Sequence, residues 1–232
     1  MFEYLINFYE NKWKFVRKEQ NHLQNKVVLW DLICYLIFPL VIWNVLNDRI
    51  DEYYAMLIST VPGIIYSIVR FIEVKRVNFF GLFMVGTLMI GTLVDVLSGS
   101  ALQMMWNNVY YSLGLAVFFL VTNFINKPTS LLFALDLTEM QGYDRQMLKE
   151  SYYQPKILFV FKLITYGFVI QSLLKAGIDA WLILQHGVDA YDKSIITKRV
   201  ISTSIGLICL YGFVHIHKML KNQQESETVT PN

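Results

Sequence analysis

Residues 79–97 read FFGLFMVGTLMIGTLVDVL, and this stretch decides the fold class. It carries a single ionisable side chain, Asp95, close to its far end. As a helix it rises about 28 Å, near the roughly 30 Å of a bilayer's hydrocarbon layer. A membrane strand would instead alternate apolar and polar residues over about ten positions. Here apolar residues are consecutive, as they also are at Ile64-Ile65 and Val117-Phe118-Phe119-Leu120. Each span must satisfy its own backbone hydrogen bonds in hydrocarbon, so helices are expected.

Working outward, five further stretches have the length and apolarity of a span, giving 27–46, 53–69, 79–97, 109–125, 157–184 and 200–216. The expectation is an all-α polytopic membrane protein with six transmembrane helices. Residues 1–26 form a cytoplasmic amphipathic segment, 27–217 the membrane domain and 218–232 a polar tail that is expected to be disordered. The fifth stretch, about 40 Å long as a helix, must tilt or extend into the headgroups.

Composition agrees. Of 232 residues, 55% are hydrophobic and only 16% charged, against about a quarter charged in soluble domains. That deficit excludes an ordinary soluble enzyme and a disordered chain. A net charge of +2 is too mild for the basic stripe of a nucleic-acid binder. Two cysteines cannot build a disulfide scaffold. Cys34 and Cys209 fall inside separate spans and are expected as reduced core residues.

Charge distribution sets the orientation. Fourteen of the 20 Lys and Arg residues precede the first span or lie in the second loop, the fourth loop and the tail. The opposite side holds Arg49, Lys193, Lys198 and Arg199, and the fifth span holds Lys162 and Lys175. The basic excess marks the cytoplasmic side, so both termini are expected in the cytoplasm. Residues 1–20 lack the pattern of a cleavable signal. Phe2, Leu5, Ile6, Tyr9, Trp13 and Val16 instead share one helical face, with Glu3, Asn7, Glu10, Lys14 and Arg17 elsewhere. This is the pattern of a helix lying in the membrane interface, or of a soluble helix docked on the loops. The only long connection, 126–156, is long enough to be functional or to hold a surface helix.

Candidate sites are few. Pro39 and Pro62 stand midway along the first two spans and favour helix kinks. Packing shape is the simpler reading, ahead of carbonyls opened toward a cavity. Gly81, Gly86 and Gly91 recur every fifth residue and do not form one stripe. No small-residue dimer face follows, and oligomerisation is left open. Polar residues inside the membrane are the default functional suspects. Gln171, Lys175 and Asp179 stand at i, i+4 and i+8 on one face of the fifth span. Lys175 and Asp179 can pair directly, and Asp95 can join them. Counted from Ile157, Lys175 lies about 27 Å in and Asp179 about 33 Å in, near the far interface. Interfacial anchoring and helix pairing is the first reading, and a site for a proton or small ion the second. His215 and His217, two apart on a helix, point apart and make a poor metal pair. No P-loop, G-x-S-x-G, H-E-x-x-H or Cys-x-x-Cys motif occurs. No enzyme, cofactor or metal is therefore expected.

Several short motifs stand in a characteristic order. They are Phe38-Pro39-Leu40, Val61-Pro62-Gly63-Ile64-Ile65-Tyr66, Lys75-Arg76, Leu97-Ser98-Gly99-Ser100, Gly114-Leu115-Ala116-Val117-Phe118-Phe119-Leu120, Lys127-Pro128 and Lys175. Over roughly residues 30–175 the chain resembles an uncharacterised bacterial family of six-span inner-membrane proteins, distantly similar to intracellular septation protein A. The family often has a double proline where this chain has Pro62-Gly63, and a charged pair where it has Trp106-Asn107-Asn108. The resemblance implies a bacterial cytoplasmic membrane protein tied to envelope upkeep or division. The expected function is non-catalytic, working in the lipid bilayer through a protein partner in the envelope. An immunity factor against a membrane-active peptide is one narrower form of this. A small-solute or ion transporter is the alternative.

Overall fold

A computed structural model describes residues 30, 32–74, 78–140 and 142–229. The expected amphipathic helix at 1–20 lies outside the described residues. Every regular element among them is helical: a π-helical turn (Ile33–Ile37), α1 (Phe38–Leu46), α2 (Glu52–Val74), α3 (Phe79–Val96), α4 (Ala101–Phe124), α5 (Thr129–Met140), α6 (Arg145–Tyr152), α7 (Pro155–His186), a 3-10 turn (Gly187–Ala190) and α8 (Tyr191–Val229).

Four stretches are long and apolar enough to cross a membrane: Glu52–Val69, Phe79–Val96, Ala101–Phe124 and Pro155–Leu220, with a shorter apolar helix at Ile33–Leu46. The fourth covers 66 residues, about 100 Å if straight, three times a hydrocarbon layer. It does not run straight. Gly187 caps α7 at φ 59°, a conformation open to glycine and strained for other residues, and the chain folds back. Cross-contacts such as Ser194 to Asp179 and Cys209 to Ile164 make α7 and α8 an antiparallel pair. Both helices crowd together where side chains are missing. A Cβ on Gly167 would lie 2.8 Å from Cys209 Sγ, and one on Gly212 would lie 2.7 Å from Ile164.

Helices α4 and α7 form the centre. They run antiparallel, with Asn123 donating to the Lys162 carbonyl at one end and Phe119 against Phe168 a turn further in. At the other end Ala101, Met104 and Met105 join Leu182 and Ile183 in one buried cluster. From Lys162 to Ile183 the paired length is about 32 Å, the thickness of hydrocarbon. α3 packs on α4 through Phe83 and Phe118. α2 meets α3 where the Tyr53 hydroxyl donates to the Val96 carbonyl at 2.6 Å. Large apolar side chains such as Leu82 (66% exposed), Ile208 (70%) and Tyr211 (73%) cover the outside of the bundle. An apolar exterior of this extent suits lipid rather than water.

Several expected boundaries are corrected. The span placed at 109–125 begins eight residues earlier, at Ala101, where Ser100 caps the helix by accepting from the Gln103 amide. The span placed at 200–216 belongs to a helix running from Tyr191 to Val229, through the tail for which disorder is expected. Asn107 and Lys198 lower the local apolarity without ending their helices, because Ser98 and Asp179 on neighbouring segments supply partners. The 126–156 connection holds α5 and α6, and α5 is no surface helix: Thr129, Ser130, Leu131, Leu135 and Asp136 are buried.

The proline readings also sharpen. A proline ring clashes with the carbonyl four residues back, here that of Tyr35. The π-helical turn directly before Pro39 absorbs this, with the Phe38 amide bonding back five residues to the Ile33 carbonyl. Pro62 sits inside the continuous helix α2. Its neighbour Gly63 touches the π-helical turn, where a Cβ would come 3.1 Å from the Tyr35 ring. Tyr35 also hydrogen-bonds Ser67, which itself donates to the Gly63 carbonyl at 2.8 Å. The two proline regions shape one packed contact.

Candidate functional site

We call the end of the bundle that carries 126–154 the loop end, and the end that carries Gly187 the turn end. The sequence brings polar side chains together in two places, one near each end.

The turn-end site is a polar layer crossing four helices. Asp179 of α7 is 3% exposed. Its Oδ1 accepts from Ser194 Oγ of α8 at 2.7 Å, and Lys198 Nζ lies 3.0 Å from Oδ2. At the same level Asp95 of α3 accepts from Asn108 Nδ2 of α4 at 2.8 Å. One turn further out, the Ser59 hydroxyl donates to the Met56 carbonyl at 2.6 Å, which leaves the Tyr191 hydroxyl to donate to Ser59 at 2.7 Å. Trp43 of α1 stacks edge-on against Tyr191.

Three expectations change here. Asp179 takes its cation from Lys198 across the helix pair, not from Lys175 one turn below it on α7. Lys175 is half-buried and makes no ion pair among the described residues. Asp95 reaches the layer, but its direct partner is Asn108. Gln171 is half-buried and takes no part in these bonds. Depth changes as well. The central pair begins at Lys162, not at Ile157, so Lys175 lies about 20 Å along it and about 12 Å short of Ile183. Asp179 lies about 26 Å along. Lys162 ends the paired zone by reaching Asn126 Oδ1 at 2.6 Å.

The loop-end site is a platform built by α5 and α6. Thr129 and Ser130 begin α5 between α4 and α7. Thr129 bonds Thr122 at 2.9 Å, and Ser130 Oγ donates to the Phe161 carbonyl at 2.7 Å. Two turns on, the fully buried Asp136 faces the first turn of α3, where its Oδ2 accepts from the Phe80 amide at 2.8 Å. Asn78 caps the same turn through the Gly81 amide. Both fit the demand of a helix N-terminus for acceptors and negative charge. Arg145 Nη1 reaches Asp136 Oδ1 at 2.8 Å and also pairs with Glu139. The Asp136 hydrogen bond first, and then that of Glu139, hold the guanidinium pKa above its ordinary value. On the outside of this platform Tyr143 is 61% exposed and Met147 70%.

Sequence reasoning missed Asn108, Ser194, Lys198, Asp136 and Arg145. Ser194 and Lys198 stand four apart, which puts them on one helical face, and that spacing is the signal that could have paired them with Asp179. Asp136 follows Leu131, Leu132 and Leu135, an apolar run that points to burial. Chemically, the polar layer can hold helices together or hold a charge within the bundle. Among the described residues no His, Cys, Asp and Glu group could hold a metal. No protein family, curated protein or solved structure matches the chain.

Proposed function

We propose that this chain is a six-span protein of the bacterial cytoplasmic membrane, with both termini in the cytoplasm, that acts through a protein partner docking on its loop end. The observation that carries this reading is the platform itself. A connection of this length would be free to move, yet the buried Asp136, paired with a partly exposed Arg145, fastens it to α3 while Tyr143 and Met147 remain uncovered. The basic excess at this end supports a cytoplasmic orientation, the apolar stretch at 27–46 supports the sixth span, and the envelope role extends the expectation drawn from the short sequence motifs. A photo-crosslinking residue at Met147 in living cells should give one or two discrete protein adducts, lost when α6 is replaced by a Gly-Ser linker. Adducts to lipid alone would refute the reading. Impermeant thiol labelling of Tyr143→Cys only from the cytoplasm, and of Asp189→Cys only from outside, checks the topology.

Lys175 favours a second reading, transport of a proton or small ion. An ammonium half-buried and without an ion pair among the described residues, about 12 Å inside the paired zone, is the kind of group on which ion pathways are built. Flux in reconstituted vesicles should then vanish in Lys175→Met. Unchanged flux in that variant removes the site.

A further inference from the structure

We propose that a groove between α7 and α8 at the loop end seats an anionic phospholipid of the surrounding bilayer. The groove measures about 640 Å³, within the usual size of a small-molecule site. Phe159, Val160 and Leu163 form one wall, and Tyr211, Gly212 and Met219 the other. Lys156 and His215 stand on its rim, and among the described residues no acidic side chain lines it.

Its position matches a lipid. The paired zone of α4 and α7 ends at Lys162, and the Phe161–Phe213 ring contact shows which part of α8 lies at that level. The groove straddles this boundary. Leu163 and Tyr211 lie just on the hydrocarbon side, about 1.5–3 Å along their helices from the boundary, and Phe159 and Val160 lie within a turn of it on the other side. Lys156, His215 and Met219 lie beyond it. An acyl chain can therefore lie along the apolar walls, while a phosphate meets the Lys156 ammonium and an imidazole N–H at the rim. Basic pockets between membrane helices on the cytoplasmic side take anionic headgroups for this reason. The charge complementarity favours an anionic over a zwitterionic lipid, because among the described lining residues no acid answers the ammonium that a zwitterionic headgroup would bring beside Lys156. The inference rests on membrane insertion and not on the proposed protein partner.

The full-length protein in mild detergent is titrated with phosphatidylglycerol, phosphatidylcholine or inorganic phosphate, and retained lipid is counted by native mass spectrometry. A phosphatidylglycerol analogue with a photoreactive acyl chain is mapped on the wild type. One lipid should be retained with at least tenfold preference for phosphatidylglycerol, with adducts on residues 156–163 and 211–219. Lys156→Gln/His215→Ala should weaken retention about tenfold, since a basic group at an anionic surface is worth about fivefold and the lost imidazole donor adds to it. Lys149→Gln, outside the groove, should change nothing. Equal retention of both lipids, adducts spread evenly over the lipid-facing helices, or an unchanged double variant would overturn the proposal. Displacement by inorganic phosphate alone would also overturn it, since the rim would then be a plain anion site. Folding of the variants is checked by circular dichroism, and the wild-type map stands without them.

Discussion

Replacing Arg145 by Met tests whether the Asp136–Arg145 pair fastens the platform. Asp136 has a side chain of 0% exposure, whereas the Arg145 side chain is 38% exposed. Losing the cation leaves a carboxylate in the interior with only the Phe80 amide and the first turn of α3 to answer it. Breaking a buried pair in this way costs about 3–5 kcal/mol. The helix N-terminus offsets roughly 1 kcal/mol of that, so we expect about 3 kcal/mol for Arg145→Met. Asp136→Asn is milder. The amide oxygen can accept from one donor but not from both, and the exposed guanidinium keeps Glu139 and water, so about 2 kcal/mol is expected. The double variant leaves no charge in the interior. It should cost about as much as Asp136→Asn alone, giving a coupling of roughly 3 kcal/mol where independent sites would add. Reversible unfolding in mixed micelles, followed by far-ultraviolet circular dichroism, measures all three. Simple additivity, or an Arg145→Met cost under about 0.5 kcal/mol, would refute the reasoning and make the pair an ordinary surface contact.

Two further tests address the bundle. Lys198→Met should destabilise it by about 3–5 kcal/mol by stranding Asp179, while Lys175→Met, which breaks no ion pair, should leave the same unfolding midpoint nearly unmoved; equal effects would contradict the observed partner choice. Gly167→Ala places a methyl against the Cys209 sulfur and should cost about 1–3 kcal/mol, with Cys209→Ala in the same chain restoring most of it; a lack of rescue in thermal unfolding would show that α7 and α8 do not approach closely there.

Apolar runs in the sequence located the helices, because burial in lipid demands them and little else produces them. Their ends were less legible. Asn107 and Asn108 look like loop residues until Ser98, just after α3, and Asp95 of α3 supply partners. Likewise Asp192, Lys193 and Lys198 look like a solvated stretch until Asp179 accounts for one of them. The candidate layer was half visible. Spacing along one helix shows that Lys175 and Asp179 share a face, but which cation reaches Asp179 depends on the register of α8, fixed by a turn at Gly187 that no local pattern encodes. The burial of α5 is illegible for a related reason. Ser130 and Thr129 bury their hydroxyls against the Phe161 carbonyl and Thr122, which only the fold brings near.

The tight reversal at Gly187 bears on how the chain is made. Asp179 and Lys198 would each be expensive to drag through oil alone. Joined across a four-residue turn, they cancel one another before entry. The last two helices are therefore expected to leave the ribosome as a preassembled hairpin and to slip sideways into the lipid as one piece. Lengthening the turn should slow biogenesis even where the finished protein tolerates it.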